Sequence, residues 1–145
     1  MPKPHILLHA VLLTLICLGC SSSGPEIASV SGRITMDGKP LPDATVVFIP
    51  ENGRSAAGRT DANGVYALNF TEGRHGAIPG PNSISITTAR ESEQDENGKV
   101  LRPAAKETIP MEYNAASKLS FNVEPKKKNV ANFDLKSGGK LPISD

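Results

Sequence analysis

This chain has no tryptophan, and its 145 residues carry only four phenylalanines and two tyrosines, Tyr66 and Tyr113. Flat aromatic platforms of the kind that stack sugars or single-stranded bases are therefore not expected. Histidine is nearly as scarce. Beyond His5 and His9 there is only His75, in the loop Glu72-Gly73-Arg74-His75-Gly76. A zinc site needs three or four converging His, Cys or carboxylate ligands, so one histidine without cysteine partners does not make one. No Gly-x-Ser-x-Gly elbow occurs and His75 has no evident orienting acid, which leaves no nucleophile–base pair. The sequence thus predicts no enzyme, no metal and no cofactor. Charge of one sign is missing too. The formal net charge is +1, so no basic excess is present to bind nucleic acid by counterion release. Both cysteines, Cys17 and Cys20, fall in the first twenty residues, and no stretch after Ser21 has a convincing helical period.

What the chain does have begins at its N-terminus. Lys3 precedes an apolar run from Ile6 to Leu18, followed by Gly19 and Cys20. A basic n-region, a short h-region and a small residue before a cut describe a secretory signal peptide. The run is shorter than the roughly 20 apolar residues of a membrane span. Leu18-Gly19-Cys20 resembles the lipobox of bacterial lipoproteins, with Cys17 where that pattern most often has Leu. The resemblance implies cleavage before Cys20, diacylation of its thiol and acylation of the new N-terminus. It also implies residence in the cell envelope, on the periplasmic face of the outer membrane, because Ser21 rather than an aspartate follows the cysteine. A plain secreted protein cut near Gly19 or Ser23 is the competing reading. On the lipoprotein reading the chain divides into a signal peptide (1–19), a lipidated tether (20–25), a single domain (26–136) and a flexible tail (137–145). The domain would hold no thiol and no disulfide, so its stability must come from a packed core.

From Glu26 onward the pattern is all β. Ile27, Val30 and Ile34 lie in a β-branched stretch that ends at the turn Met36-Asp37-Gly38-Lys39-Pro40. Ala44–Ile49 reads as a central core strand, stopped by Pro50. Ala56–Thr60 is a weaker strand, and Asp61-Ala62-Asn63-Gly64 reverses the chain into Val65–Phe70. Tyr66, Leu68 and Phe70 are expected to face the core. Ile84 and Ile86 share a face of Ser83–Ala89. Leu119–Val123 and Val130–Leu135 alternate, with the charged turn Pro125–Asn129 between them. Gly38 and Gly64 fall where hairpin turns need positive φ, and Asp61 can accept from backbone N–H groups of its own turn. Short strands at this spacing predict a Greek-key β-sandwich of about seven strands.

Val30-Ser31-Gly32-Arg33-Ile34, Asp37–Ala44, Val46–Pro50, Thr60–Tyr66 and Gly76-Ala77-Ile78-Pro79-Gly80 together resemble a carboxypeptidase-regulatory-like domain. The small lipoproteins of planctomycete-type bacteria pair such a domain with a late Ile-Pro-x-x-Tyr-Asn segment, here Ile109 to Asn114. The resemblance spans about Val30 to Leu135 and implies a transthyretin-like (prealbumin-like) sandwich. Pro81-Asn82 departs from the usual strand start.

Three polar clusters are candidates for chemistry. Asp61-Ala62-Asn63-Gly64 looks like the opening of an EF-hand loop but lacks the helices and the closing glutamate, so a hairpin turn is favoured. Asp95-Glu96-Asn97-Gly98, with Glu91 and Glu93, could hold a weak Ca²⁺, although a solvated loop is the commoner case. Lys126, Lys127 and Lys128 could touch anionic headgroups or cell-wall polymer, against the commoner role of a solubilising turn. The function expected from the sequence is a non-catalytic, lipid-anchored structural or protein-interaction module, bound to the membrane and to an envelope protein or wall polymer. Its Arg90–Lys106 loop or a sheet edge would make the contacts. The alternative is a carbohydrate- or small-ligand-binding module, which the shortage of aromatics disfavours.

Overall fold

The computed structural model describes residues 24–143; the signal segment and Cys20 lie outside them. The described residues are all β, with strands β1 (Val30–Met36), β2 (Lys39–Pro40), β3 (Thr45–Pro50), β4 (Ala56–Arg59), β5 (Val65–Ala67), β6 (Asn69–Thr71), β7 (Arg74–His75), β8 (Gly80–Thr87), β9 (Glu93–Gln94), β10 (Val100–Arg102), β11 (Ser120–Val123), β12 (Asn129–Val130) and β13 (Phe133–Leu135). One 3-10 turn, Met111–Tyr113, interrupts them. A six-stranded sheet runs β11-β8-β3-β4-β6-β7 and a five-stranded sheet gathers β2, β5, β12 and β13 around β1, while β9 and β10 form a separate ribbon.

Two of the runs read as single strands are broken in mid-course. Val65–Thr71 pairs with β1 through β5, then with β4 through β6, so it passes from one sheet to the other at Leu68. Asn129–Leu135 runs parallel to β1 on both sides of a gap at Ala131-Asn132. Counted as continuous runs, β1, β3, β4, β5–β6, β8, β11 and β12–β13 are the seven principal strands of the sandwich.

The gap shows how the backbone is satisfied where the ladder fails. Asn132 lends its Oδ1 to the Arg33 N–H at 2.8 Å, in place of a backbone carbonyl. The Ala131 carbonyl turns inward instead and accepts from the Tyr66 hydroxyl at 2.8 Å. Gly32 makes room for it: a Cβ there would stand 1.8 Å from that carbonyl oxygen. Burial without an ionisable partner pushes the Tyr66 phenol well above its usual range.

The core follows the alternation seen in the sequence. Val30 and Ile34 of β1 face Val46 and Phe48 of β3 and Ile84 and Ile86 of β8, all buried. Tyr66, Leu68 and Phe70 are buried as expected. Phe48 makes edge-on contacts with Phe121 and Phe133, with ring centroids 5.9 and 6.5 Å apart. Ile109 and Pro110, irregular in sequence, close the core and are fully buried.

The turns hold the glycines and the aspartate singled out from sequence. Asp37 and Gly38 both have positive φ, 51° and 77°, as a two-residue type I′ hairpin requires. Gly64 has φ 72°, and a Cβ there would meet the Ile34 carbonyl at 2.4 Å. Asp61 Oδ1 accepts from the N–H groups of Asn63 and Val65 at 2.8 and 2.9 Å. Gly80, with φ 106°, starts β8.

The sandwich is about 25 Å long, the span of the eight residues of β8 at roughly 3.3 Å each, and its two ends differ. At one end lie Pro50, Gly80 and Val123, with the chain from Gly24 to Ser29 crossing them through the Ala28–Ala77 bridge. At the opposite end lie Thr45, Thr87, Met36 and Leu135.

Candidate functional site

The Arg90–Lys106 segment follows β8 at the end away from Gly24. It folds as an excursion hairpin: the Arg90–Ala105 bridge closes its base and β9 pairs with β10 above it. Its tip copies the turn at Asp61 residue for residue. Asp95 Oδ1 accepts from the N–H groups of Asn97 and Lys99, both at 2.9 Å, and the Gly98 N–H donates to the Asp95 carbonyl. One carboxylate oxygen at each Asp-x-Asn-Gly turn is therefore occupied by backbone donors, and among the described residues no three His, Cys, Asp or Glu side chains gather as a cation site. Both turns serve chain reversal.

Two features fix this hairpin to the sandwich. Arg59 and Arg102 lie 3.6 and 4.0 Å from Glu93, and Arg102 lies 3.7 Å from Asp43. These exposed pairs align the ribbon more than they stabilise it. The stronger clasp is Glu107, which had no part in the sequence reading. Its carboxylate accepts from the Thr87 hydroxyl, the Thr88 hydroxyl (2.8 Å), and the N–H groups of Thr88 (3.0 Å), Thr108 (3.0 Å) and Ile109 (2.9 Å). Burial, the largest single influence, raises the Glu107 pKa, but the bonds from Thr87, Thr88 and Ile109 together outweigh it and hold the carboxyl below its usual value.

Beside this clasp runs an open groove of about 780 Å³, walled by Arg90, Glu91, Ala105 and Lys106 on one side and Leu141, Pro142 and Ile143 on the other. The second wall belongs to the segment read as a flexible tail. It lies against the sandwich: the Lys140 carbonyl accepts from the Met111 N–H at 2.8 Å, and Gly139 packs on Pro110. Nearby, Asp134 takes bonds from Lys136 (2.7 Å), Thr35 (2.7 Å) and the Gly38 N–H (3.2 Å), which lower its pKa to about 2. Leu101, Val100, Leu141 and Ile143 stand exposed at this end.

The opposite end holds the remaining sequence candidates. His75 is exposed on β7, its Nδ1 2.6 Å from Asn69 Oδ1, with no carboxylate among the described residues bonded to it. Arg74 stacks on Phe70, 5.3 Å from the ring centroid, and donates to the Pro25 carbonyl at 2.6 Å. Lys126, Lys127 and Lys128 are exposed, with Lys127 paired to Glu124. Asn129, in sequence only the last residue of that turn, builds it: Oδ1 accepts from the Glu124 N–H (2.8 Å), while Nδ2 lies within 3.0–3.2 Å of the Glu124, Lys127 and Ser29 carbonyls. Its signal was an asparagine following a lysine run where a strand should begin, which suits a side chain that bonds its own backbone.

No family model, curated protein or solved structure matches this chain.

Proposed function

We propose that this chain is a non-catalytic, lipid-anchored protein of the bacterial envelope, a carboxypeptidase-regulatory-like sandwich serving as a protein-interaction module. One observation carries the reading. The chain enters the sandwich at Gly24–Ala28, pinned by Arg74, whereas the hairpin and its groove lie at the other end. An anchor at Cys20 therefore leaves the recognition elements about 25 Å away from the lipid, the length of the sandwich. The hairpin suits recognition because it is exposed, carries Val100 and Leu101, and stands on a clasped base. The reading as non-catalytic rests on His75 pairing with an amide and standing on an exposed strand.

Intact mass of the membrane-extracted protein tests the anchor. A species starting at Cys20 and heavier by two or three acyl chains, absent from Cys20→Ser, is expected. An unmodified soluble species would refute the anchor. Crosslinking in cells through a photoreactive residue at Leu101 should then capture one discrete envelope protein, and capture equally efficient from the outer sheet face at Ser85 would refute a role for the hairpin.

A further inference from the structure

From the parallel register of β12 on β1 we infer that the Lys126–Lys128 turn is a headgroup-docking surface for anionic lipid, which holds the sandwich upright over the bilayer. This inference rests on the lipid-anchored reading of Cys20. Parallel pairing brings the start of β12 beside the start of β1, with Val30 opposite Asn129, although 99 residues separate them. The lysine turn thereby sits where the chain leaves toward Cys20. Asn129 locks the two together, because its amide reaches the Ser29 carbonyl on the incoming chain as well as Glu124 and Lys127 in the turn. Arg74 fixes the other flank by holding the Pro25 carbonyl. Turn and exit point therefore move as one rigid unit.

Distance then decides the matter. Five residue steps from Cys20 to Pro25 span at most about 18 Å even when fully extended. The field of an anionic surface decays over about 8 Å at physiological salt. An anchored domain therefore spends its time within one or two screening lengths of the headgroups, and the orientation with the most cations facing down is favoured. The other charged groups at this end are Arg54 and Arg74 against Glu26, Glu51, Glu72 and Glu124. They sum to −2, so the three lysines alone turn this end to a net +1, and Glu124 already takes Lys127. The surplus is concentrated in one exposed turn, with Lys126 and Lys128 free of any ion pair among the described residues. Each lysine near an anionic surface is worth about a fivefold change in partitioning.

The test uses the acylated full-length protein in vesicles of phosphatidylcholine, with or without phosphatidylglycerol. A fluorophore is placed on Pro125→Cys or on Asn97→Cys, and quenching by a headgroup-labelled lipid is read. Phosphatidylglycerol should increase quenching at position 125 and not at 97. Replacing Lys126, Lys127 and Lys128 with Gln, or raising salt, should abolish the increase. Quenching at 125 that ignores phosphatidylglycerol, or survives the triple substitution, would overturn the proposal. So would lysine-dependent binding to an anionic wall polysaccharide with no response to lipid charge. Failure of Cys20 to carry acyl chains would instead show in the intact mass and would remove the anchor reading itself.

Discussion

Replacing Gly32 with alanine should be among the most damaging single-methyl additions this sandwich can receive. The new Cβ would lie 1.8 Å from the Ala131 oxygen and 2.6 Å from its carbonyl carbon. Both are backbone atoms, so no side chain can swing aside. The Ala131 peptide must move by more than an ångström, and its bonds go with it: the Tyr66 hydroxyl at 2.8 Å and the Ala131 N–H to the Ser31 carbonyl at 2.9 Å. Overpacking costs about 1–3 kcal/mol, and leaving a buried hydroxyl and carbonyl unpaired adds about 1–3 kcal/mol. A loss of roughly 2–6 kcal/mol is expected, against about 5–15 kcal/mol for a domain of ordinary stability. Tyr66→Phe removes only the hydroxyl and should cost about 1–2 kcal/mol. The two changes break the same bond, so together they should cost less than their sum by about 1 kcal/mol or more. Urea unfolding followed by far-UV circular dichroism measures all four species without relying on the tyrosines. A Gly32→Ala variant within about 0.5 kcal/mol of the parent, or strict additivity with Tyr66→Phe, would refute the reasoning.

The Glu107 clasp carries a pH signature. Its folded pKa is depressed, so its contribution is full above the unfolded value of about 4.3 and is lost as pH falls through the folded value. Glu107→Gln should cost about 1–2 kcal/mol at neutral pH and flatten the acid limb of a stability–pH curve, whereas an unchanged acid limb would contradict the clasp. The twin turns should respond differently to the same change. Asp61→Ala should lower global stability by about 1–2 kcal/mol, because its turn carries Gly64 against β1. Asp95→Ala should leave global stability within about 0.5 kcal/mol and only speed hydrogen exchange at Asn97 and Lys99; equal global losses would count against the distinction.

Strand existence and facing were legible from local grammar. Alternation placed Tyr66, Leu68 and Phe70 inward, Asp37-Gly38 marked its own turn, and the polar stretch around Asn97-Gly98 left a long loop or an excursion hairpin as the alternatives. These rules act over a few residues, and each is written in residue types the pattern can express. What escaped is long-range or hidden in a single atom. Nothing near Glu107 marks it among fifteen acids, since its donors at Thr87 and Thr88 lie some twenty residues earlier. Gly32 looks like an ordinary strand glycine until Ala131 arrives from the far end of the chain. Ser137–Asp145, rich in glycine and lysine, reads as a frayed tail, yet Gly139 fits against Pro110 for want of a side chain.

The parallel pairing ties these losses together. A hairpin's register follows from its turn, but β12 and β13 join β1 with nearly the whole domain between them, so no local signal could fix which end of the sandwich they reach. That one register decides the polarity of the molecule. Had Asn129–Leu135 paired with β1 in the opposite sense, the lysine turn would lie beside Met36 and the groove walls would part, with Leu141–Ile143 carried away from Arg90 and Lys106. Asn132 and Tyr66 argue that the parallel choice is built in: one fills the ladder gap from the strand side and the other caps the turned carbonyl from the core. The same few atoms that satisfy an interrupted strand thus set charge at one end and the hairpin with its groove at the other.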